Sequence, residues 1–289
     1  QTLSNTKAAI RSYFKRLPAP ACFALEATNT FHLAFVELAH AAGHTVYLID
    51  GYRLNRYRES VGGRAKTDAT DAQLLRRYLL RERDALHPWS PPPAGYARLQ
   101  RLLRRRAKLV EARGMLAQSL QGLPELQRAA AALLSRLERL EGLLDQRLAT
   151  ALAEAGWTAD AARIDAIEGI GPLTAAALTT AFHRGAFRRS DAFIAFLGLD
   201  VRVRDSGSYR GRRKLTKQGD PQLRRLLYLA AMAAARSATW QPFLQRHLDR
   251  GLSKIQAYVA LARKLARVAF ALLKQQTDYR PKIPQEALT

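Results

Sequence analysis

An α/β unit followed by a mainly α remainder is the architecture this sequence predicts, and three observations predict it. A strand–helix–strand pattern occupies residues 21–50. A proline-rich break, HPWSPPPAG at residues 87–95, interrupts the chain. Beyond that break, Leu, Ala and Arg recur at helical spacing almost to the end. The expected organisation is therefore an α/β domain over 1–90, a long helical connection over 96–155, and a helical C-terminal domain over 159–289.

The elements follow in order. Residues 21–27 (ACFALEA) form a short apolar run closed by a carboxylate, and residues 45–50 (TVYLID) form a second. A helical stretch over 30–42, stopped by Gly43, lies between them. That spacing makes a βαβ unit with parallel strands and a right-handed crossover. Chemistry in such sheets collects at the carboxyl ends of the strands, where Glu26 and Asp50 fall. A loop containing Gly62, Gly63 and Arg64 leads to KTDATD at 66–71, which opens a helix running to about residue 83. Residues 96–155 read as two long helices broken at Gly122-Leu123-Pro124, with Leu133, Leu137, Leu140 and Leu144 at helical spacing. A helical hairpin and a dimerising coiled coil both satisfy that stripe. The remainder is helical except for a basic irregular segment at 201–219, and its last helix, about 253–276, is amphipathic.

Composition limits the function. The chain carries 47 Lys and Arg against 24 Asp and Glu in 289 residues, a formal charge of +23. Such an excess repels itself unless a polyanion neutralises it, so nucleic acid is the expected partner and an anionic membrane surface the second. A 48% hydrophobic content suits a globular chain with a sizeable core. The single cysteine, Cys22, excludes a disulfide framework and a multi-cysteine zinc site, and suits a reducing cytoplasm. Cys22 is expected to be a small buried strand residue. No stretch approaches the roughly 20 apolar residues of a bilayer span. The longest candidate, 257–273, contains Arg263, Lys264 and Arg267.

Three segments can carry chemistry. In IEGIGPLTA at 167–175, Gly169 and Gly171 permit a tight turn, and Pro172 at a helix start leaves outward N–H groups. That is the pattern of a helix-hairpin-helix, whose amides hold a phosphate without reading bases; an ordinary interhelical turn is the plainer alternative. Asp68 and Asp71, three residues apart, share one helix face. Alone they complement the helix dipole; joined by Glu26 they form an oxygen cluster suited to Mg²⁺ and to phosphoryl transfer. Asp50 is a rival ligand or a strand-end turn residue. Finally, DSGS at 205–208 lies among Arg202, Arg204, Arg210, Arg212, Arg213, Lys214 and Lys217. A serine there could attack phosphate while the cations neutralise developing charge, or could be incidental to a phosphate-binding loop. His40 and His44 straddle Gly43 and offer no metal pair.

Taken together, these segments resemble the DEDD transposases of the insertion-sequence 110 group. The carriers are ALEAT at 24–28, KTDATDA at 66–72, IEGIGPLTA at 167–175, FLGL at 196–199, Ser206-Gly207 and KQGDPQLR at 217–224. The resemblance implies a RuvC/RNase H-like N-terminal domain, a coiled-coil connection and a C-terminal transposase domain. It implies Mg²⁺ on Glu26, Asp68 and Asp71, with Ser206 attacking the DNA backbone; Ser208 matches less well. It also implies DNA and a structured guide RNA as partners, in a homo-oligomer. The family's first Asp, on an opening strand in an Asp-x-Ser context, has no counterpart, because residues 1–20 hold no acid. The expectation is a RuvC-like domain lacking its first strand, in a fragment or a decayed copy. A silent DNA- or RNA-binding remnant and a Holliday-junction-type metal-dependent nuclease are the competing functions.

Overall fold

A computed structural model describes residues 2–27, 31–62, 67–203, 205–211 and 213–281. The chain divides into two compact units, Gln1–Pro91 and Pro92–Thr289.

The first unit is built on a two-stranded parallel sheet. Strand β1 (Cys22–Glu26) pairs with β2 (Thr45–Ile49), Phe23 opposite Val46 and Glu26 opposite Ile49. Helix α1 (Lys7–Phe14) precedes the sheet, and α2 (Leu33–Ala41) makes the crossover. Ile10, Phe14, Val36, Ala39 and Val46 form the core on this side. Helices α3 (Gly51–Ser60) and α4 (Asp68–Glu82) form a second small core, where Ile49, Leu54 and Leu74 are buried beside Ala24 and Tyr57. The packing is uneven. β2 is largely buried, whereas β1 is only half-buried along its middle and open at both ends. Cys22 is consequently exposed, which corrects the expectation of a buried thiol: it is the first residue of the less covered strand. His44 is structural. Its Nδ1 accepts from the Ala21 N–H at 3.1 Å, and its ring meets Phe14 and Phe23 edge-on.

The second unit opens with an antiparallel helical hairpin, α5 (Tyr96–Ser119) and α6 (Gln127–Glu154). Ion pairs run along its seam: Arg98 to Glu154, Arg106 to Asp145, and Arg113 to both Glu138 and Glu141. The leucine stripe divides between two faces. Leu137 and Leu144 are half-buried, while Leu133 and Leu140 are 43% and 46% exposed. At the hairpin's base, Tyr96, Leu99, Leu148 and Leu152 pack with Trp157 and Ala176, which ties the pair to the helices that follow.

Those helices are α7 (Thr158–Asp165), α8 (Pro172–His183), α9 (Ser190–Phe196), α10 (Pro221–Ala234), α11 (Gln241–Asp249) and α12 (Lys254–Gln275). They enclose the main core, centred on Ile164, Leu178, Phe193, Leu227, Leu261 and Leu265. The α12 start is set by a capping box, Ser253 and Gln256 satisfying each other's backbone N–H groups. Among the described residues between α9 and α10 lie four two-residue strands. β3 (Val201–Arg202) pairs with β6 (Lys214–Leu215), and β4 (Asp205–Ser206) pairs with β5 (Tyr209–Arg210), both antiparallel. Among the described residues no helix is long and apolar enough to cross a membrane.

Candidate functional site

Four acidic residues of the first unit, Glu26, Asp50, Asp68 and Asp71, occupy the carboxyl edge of the sheet and the start of α4. Glu26 ends β1 and is exposed. Its side chain leans over the first residue of α3: a Cβ at position 51 would stand 2.5 Å from Glu26 Oε1, the free end of an exposed side chain that can swing aside. Asp50 caps that helix, Oδ1 accepting from the N–H groups of Tyr52 at 3.0 Å and Arg53 at 3.2 Å. The cap accounts for Asp50 without a ligand role. Thr67 and Thr70 form a capping box at α4, which places Asp68 and Asp71 in its first turn. Asp68 is exposed and has no ion-pair partner among the described residues. Asp71 is held by Arg58 of α3, whose Nη2 donates to Oδ1 at 2.7 Å.

The oxygen donors of these acids are of the kind Mg²⁺ takes, and Asp71 already seats a cation, the Arg58 guanidinium. Among the described residues, no group of three or more His, Cys, Asp or Glu is drawn together so as to hold a metal ion. The acids fit such an ion in kind, and at Asp71 the ion would share the carboxylate with Arg58, which engages Oδ1. Residues 28–30 and the loop residues Gly63, Arg64 and Lys66 lie outside the described residues.

Ser206 sits at the tip of the β4–β5 hairpin, exposed, directly opposite Tyr209. Gly207 and Ser208 make the turn between them, Gly207 with φ +53°. Beside it, Arg213 clamps Asp205 through two hydrogen bonds of 2.6 and 2.8 Å. The Arg213 hydrogen bonds hold the Asp205 carboxyl below the usual carboxylate range, against the opposing effect of burial. Lys214 and Lys217 are exposed, without ion-pair partners among the described residues. Arg204 and Arg212 lie outside the described residues; Arg210 is placed by its backbone in β5.

The 167–171 segment joins α7 to α8 as a tight connection, yet its two glycines do different work. Gly169 has φ +87°, and a Cβ there would stand 2.3 Å from Ala234 N and 2.5 Å from Ala230 O. It is a close-approach glycine that lets the turn press on the α10 backbone. Gly171 caps α8, and a Cβ there would meet nothing within 4 Å. Glu168, just before Gly169, carries a contact that sequence reasoning did not find. Its carboxylate accepts from Thr239 Oγ1 (2.9 Å), Trp240 Nε1 (3.2 Å) and Tyr279 Oη (2.6 Å). Burial alone would raise its pKa; the hydrogen bonds from Tyr279, a backbone amide, Thr239 and Trp240 outweigh it and the pKa is lowered. Burial and the same carboxylate push the Tyr279 phenol up. The donors lie more than seventy residues away in sequence, so no local signal announces them.

Comparison with known proteins gives this arrangement its class. Residues 161–247 match the model of the Transposase IS116/IS110/IS902 family, and residues 1–126 match a transposase model of the DEDD type. A probable family 20 transposase of Pseudomonas aeruginosa is 31% identical over 313 residues, covering 95% of this chain and 90% of that one. A pilin gene-inverting protein of Moraxella bovis is 26% identical, covering 90% and 82%. The transposase of insertion sequence element IS1111A from Coxiella burnetii is 34% identical over 132 residues, 42% of this chain and 35% of that one. An α/β unit edged with acids and a basic helical unit are thus those of a transposase. Among transposases, the chain belongs to the IS110 family.

Proposed function

We propose that the protein recombines mobile DNA by serine attack on the DNA backbone, assisted by Mg²⁺ held on Glu26, Asp68 and Asp71. The observation that carries the serine assignment is the β4–β5 hairpin: it presents Ser206, exposed, beside the Arg213–Asp205 pair and the free ammonium groups of Lys214 and Lys217. In the step, Ser206 Oγ bonds to phosphorus as the bond to one deoxyribose oxygen breaks. The serine proton leaves to a base, the freed sugar hydroxyl takes up a proton, and the cations offset charge on the phosphoryl oxygens. Glu26, Asp68 and Asp71 would hold the Mg²⁺, which would supply polarisation of the phosphate and charge neutralisation at the leaving oxygen.

The same reading assigns a RuvC-like fold to residues 1–90, a coiled-coil connection to 96–155 and a transposase domain with a helix-hairpin-helix to 159–289. DNA is the substrate and a structured RNA the guide, both suited to the +23 charge. Gly169, Gly171, Arg210, Arg212, Arg213, Lys214 and Lys217 contact nucleic acid, and the protein works in the cytoplasm as a homo-oligomer. Exposed Met115, Leu133, Leu140 and Leu143 on the long hairpin support self-association.

The test is a trapped covalent protein–DNA adduct. It is expected with the wild-type chain and lost in Ser206→Ala with DNA binding intact. Cleavage at the normal rate by Ser206→Ala transfers the role to water and the protein to the metal-dependent nucleases.

A further inference from the structure

The second unit contains a cavity of about 960 Å³ between α11, α12 and the segment that follows α12. Trp240, Phe243 and Tyr279 line it together with Arg246, Lys264 and Arg280. It is remote in sequence from Ser206 and from the acids, and no step above uses it.

We propose that this cavity takes one unstacked nucleotide of a nucleic-acid strand, its base against the aromatic rings and its phosphate on the three cations. The polar ends of two rings are already committed. Trp240 Nε1–H and Tyr279 O–H both donate to Glu168, and Trp240 is buried, so the ring surface a ligand meets is chiefly that of Tyr279 and Phe243. The third ring, Phe243, has the His247 ring 4.4 Å and the Arg246 guanidinium 6.0 Å from its centroid, an aromatic and cationic group whose remaining edge a base can join. Arg246, Lys264 and Arg280 have no ion-pair partners among the described residues. Among the described residues that line it, the acid is Asp278, which lies 3.7 Å from Arg163 Nε and so is partly neutralised. Net positive charge around apolar ring faces suits a nucleotide: rings stack any base and cations hold its phosphate. An acidic peptide would use the cations and leave the rings unused. The volume falls within the range of small-molecule pockets and admits a base with its sugar. Glu168 also ties the cavity wall to the α7–α8 turn, so a base seated there is mechanically joined to the proposed phosphate-binding hairpin.

The proposal rests on nucleic acid being the substrate. It is tested with the full chain by fluorescence anisotropy on a duplex bearing one unpaired nucleotide and on the same duplex with an abasic residue there. Each is made as DNA and as RNA, and the arm with the larger base preference identifies the strand that supplies the nucleotide. The expected result is tighter binding of the base-bearing duplex by about tenfold, the scale of one base–aromatic stack. Phe243→Ala should erase that preference, and Phe243→Leu should do so while keeping most of the apolar volume. The double variant Arg246→Ala, Lys264→Ala, at two exposed positions, should weaken both duplexes alike. Equal affinity of the wild-type chain for base and abasic duplexes overturns the proposal, as does a preference that survives both Phe243 variants. Competition by poly-glutamate with no base preference overturns it in favour of an acidic peptide. Failure of the wild-type chain to bind any duplex defeats the nucleic-acid reading itself; tight binding without base preference defeats only the cavity.

Discussion

Arg58 of α3 reaches across to Asp71 in the first turn of α4 and donates a 2.7 Å hydrogen bond, the two side chains being 12% and 20% exposed. Asp71 is therefore a structural partner as well as a candidate ligand. Asp71→Asn leaves a part-buried guanidinium without its counter-charge and should destabilise the first unit by about 1–3 kcal/mol. Asp68→Asn, at an exposed position, should leave thermal stability unchanged. Both should abolish metal-dependent cleavage, which makes Asp68→Asn the cleaner test. Equal melting temperatures for the two variants would show that the Arg58 contact contributes nothing.

Gly169 and Gly171 separate the stability of the α7–α8 turn from its role on DNA. Gly169→Ala drives a methyl into the α10 backbone at a positive φ and should unfold the second unit or lower its melting temperature severely. The Cβ of Gly171→Asp meets nothing within 4 Å, and the side chain supplies a favoured N-cap for α8. It should keep or raise stability while weakening duplex binding at low salt, because the carboxylate stands where a phosphate is proposed to sit. Undiminished binding by a stable Gly171→Asp would remove the hairpin from the DNA interface.

The Glu168 site predicts an acid limb of stability. Its folded pKa is depressed below the unfolded value of 4.5. The contribution is therefore fully present above the unfolded pKa and is lost as pH falls through the folded one. Chemical denaturation from neutral pH into this acid window should show stability falling for the wild type and a shallower fall for Glu168→Gln. Parallel curves for the two proteins would contradict the assignment.

Affinity for duplex DNA should fall steeply with salt, by roughly 0.9 logarithmic units per decade for each phosphate contacted. Titrations at several ionic strengths give the slope. Lys214→Ala and Lys217→Ala should each reduce it by about 1 in the same units. A flat salt profile is incompatible with the cationic interface.

Leu133, Leu140 and Leu143 remain on the open side of the α5–α6 hairpin. Replacing Leu140 and Leu143 with Lys should leave the fold intact and shift the protein to monomer in sedimentation at micromolar concentration. An unchanged wild-type monomer under the same conditions would mean that these leucines have no partner copy.

Local pattern and composition determined a good deal of this protein. The strand–helix–strand spacing at 21–50 is legible because two apolar runs flank a helix stopped at Gly43, and the β1–β2 pairing is parallel. The +23 charge pointed to nucleic acid, and the ordered motifs pointed to the transposase family to which the chain belongs. What only tertiary structure decided concerns partners distant along the chain. The heptad-like spacing of leucines is equally compatible with a partner helix in cis or in trans; the Arg113–Glu141 and Arg106–Asp145 pairs set α5 against α6. Gly169 reads as a turn glycine until α10 arrives against it, and Cys22 reads as buried until β1 is left half-covered. Asp71 acquires Arg58, and Glu168 acquires Thr239, Trp240 and Tyr279, through contacts that no periodicity encodes. The physical reason is common to all of these. Backbone geometry and apolar spacing are properties of neighbouring residues, whereas burial, charge pairing and a cavity's lining exist only after remote segments pack together.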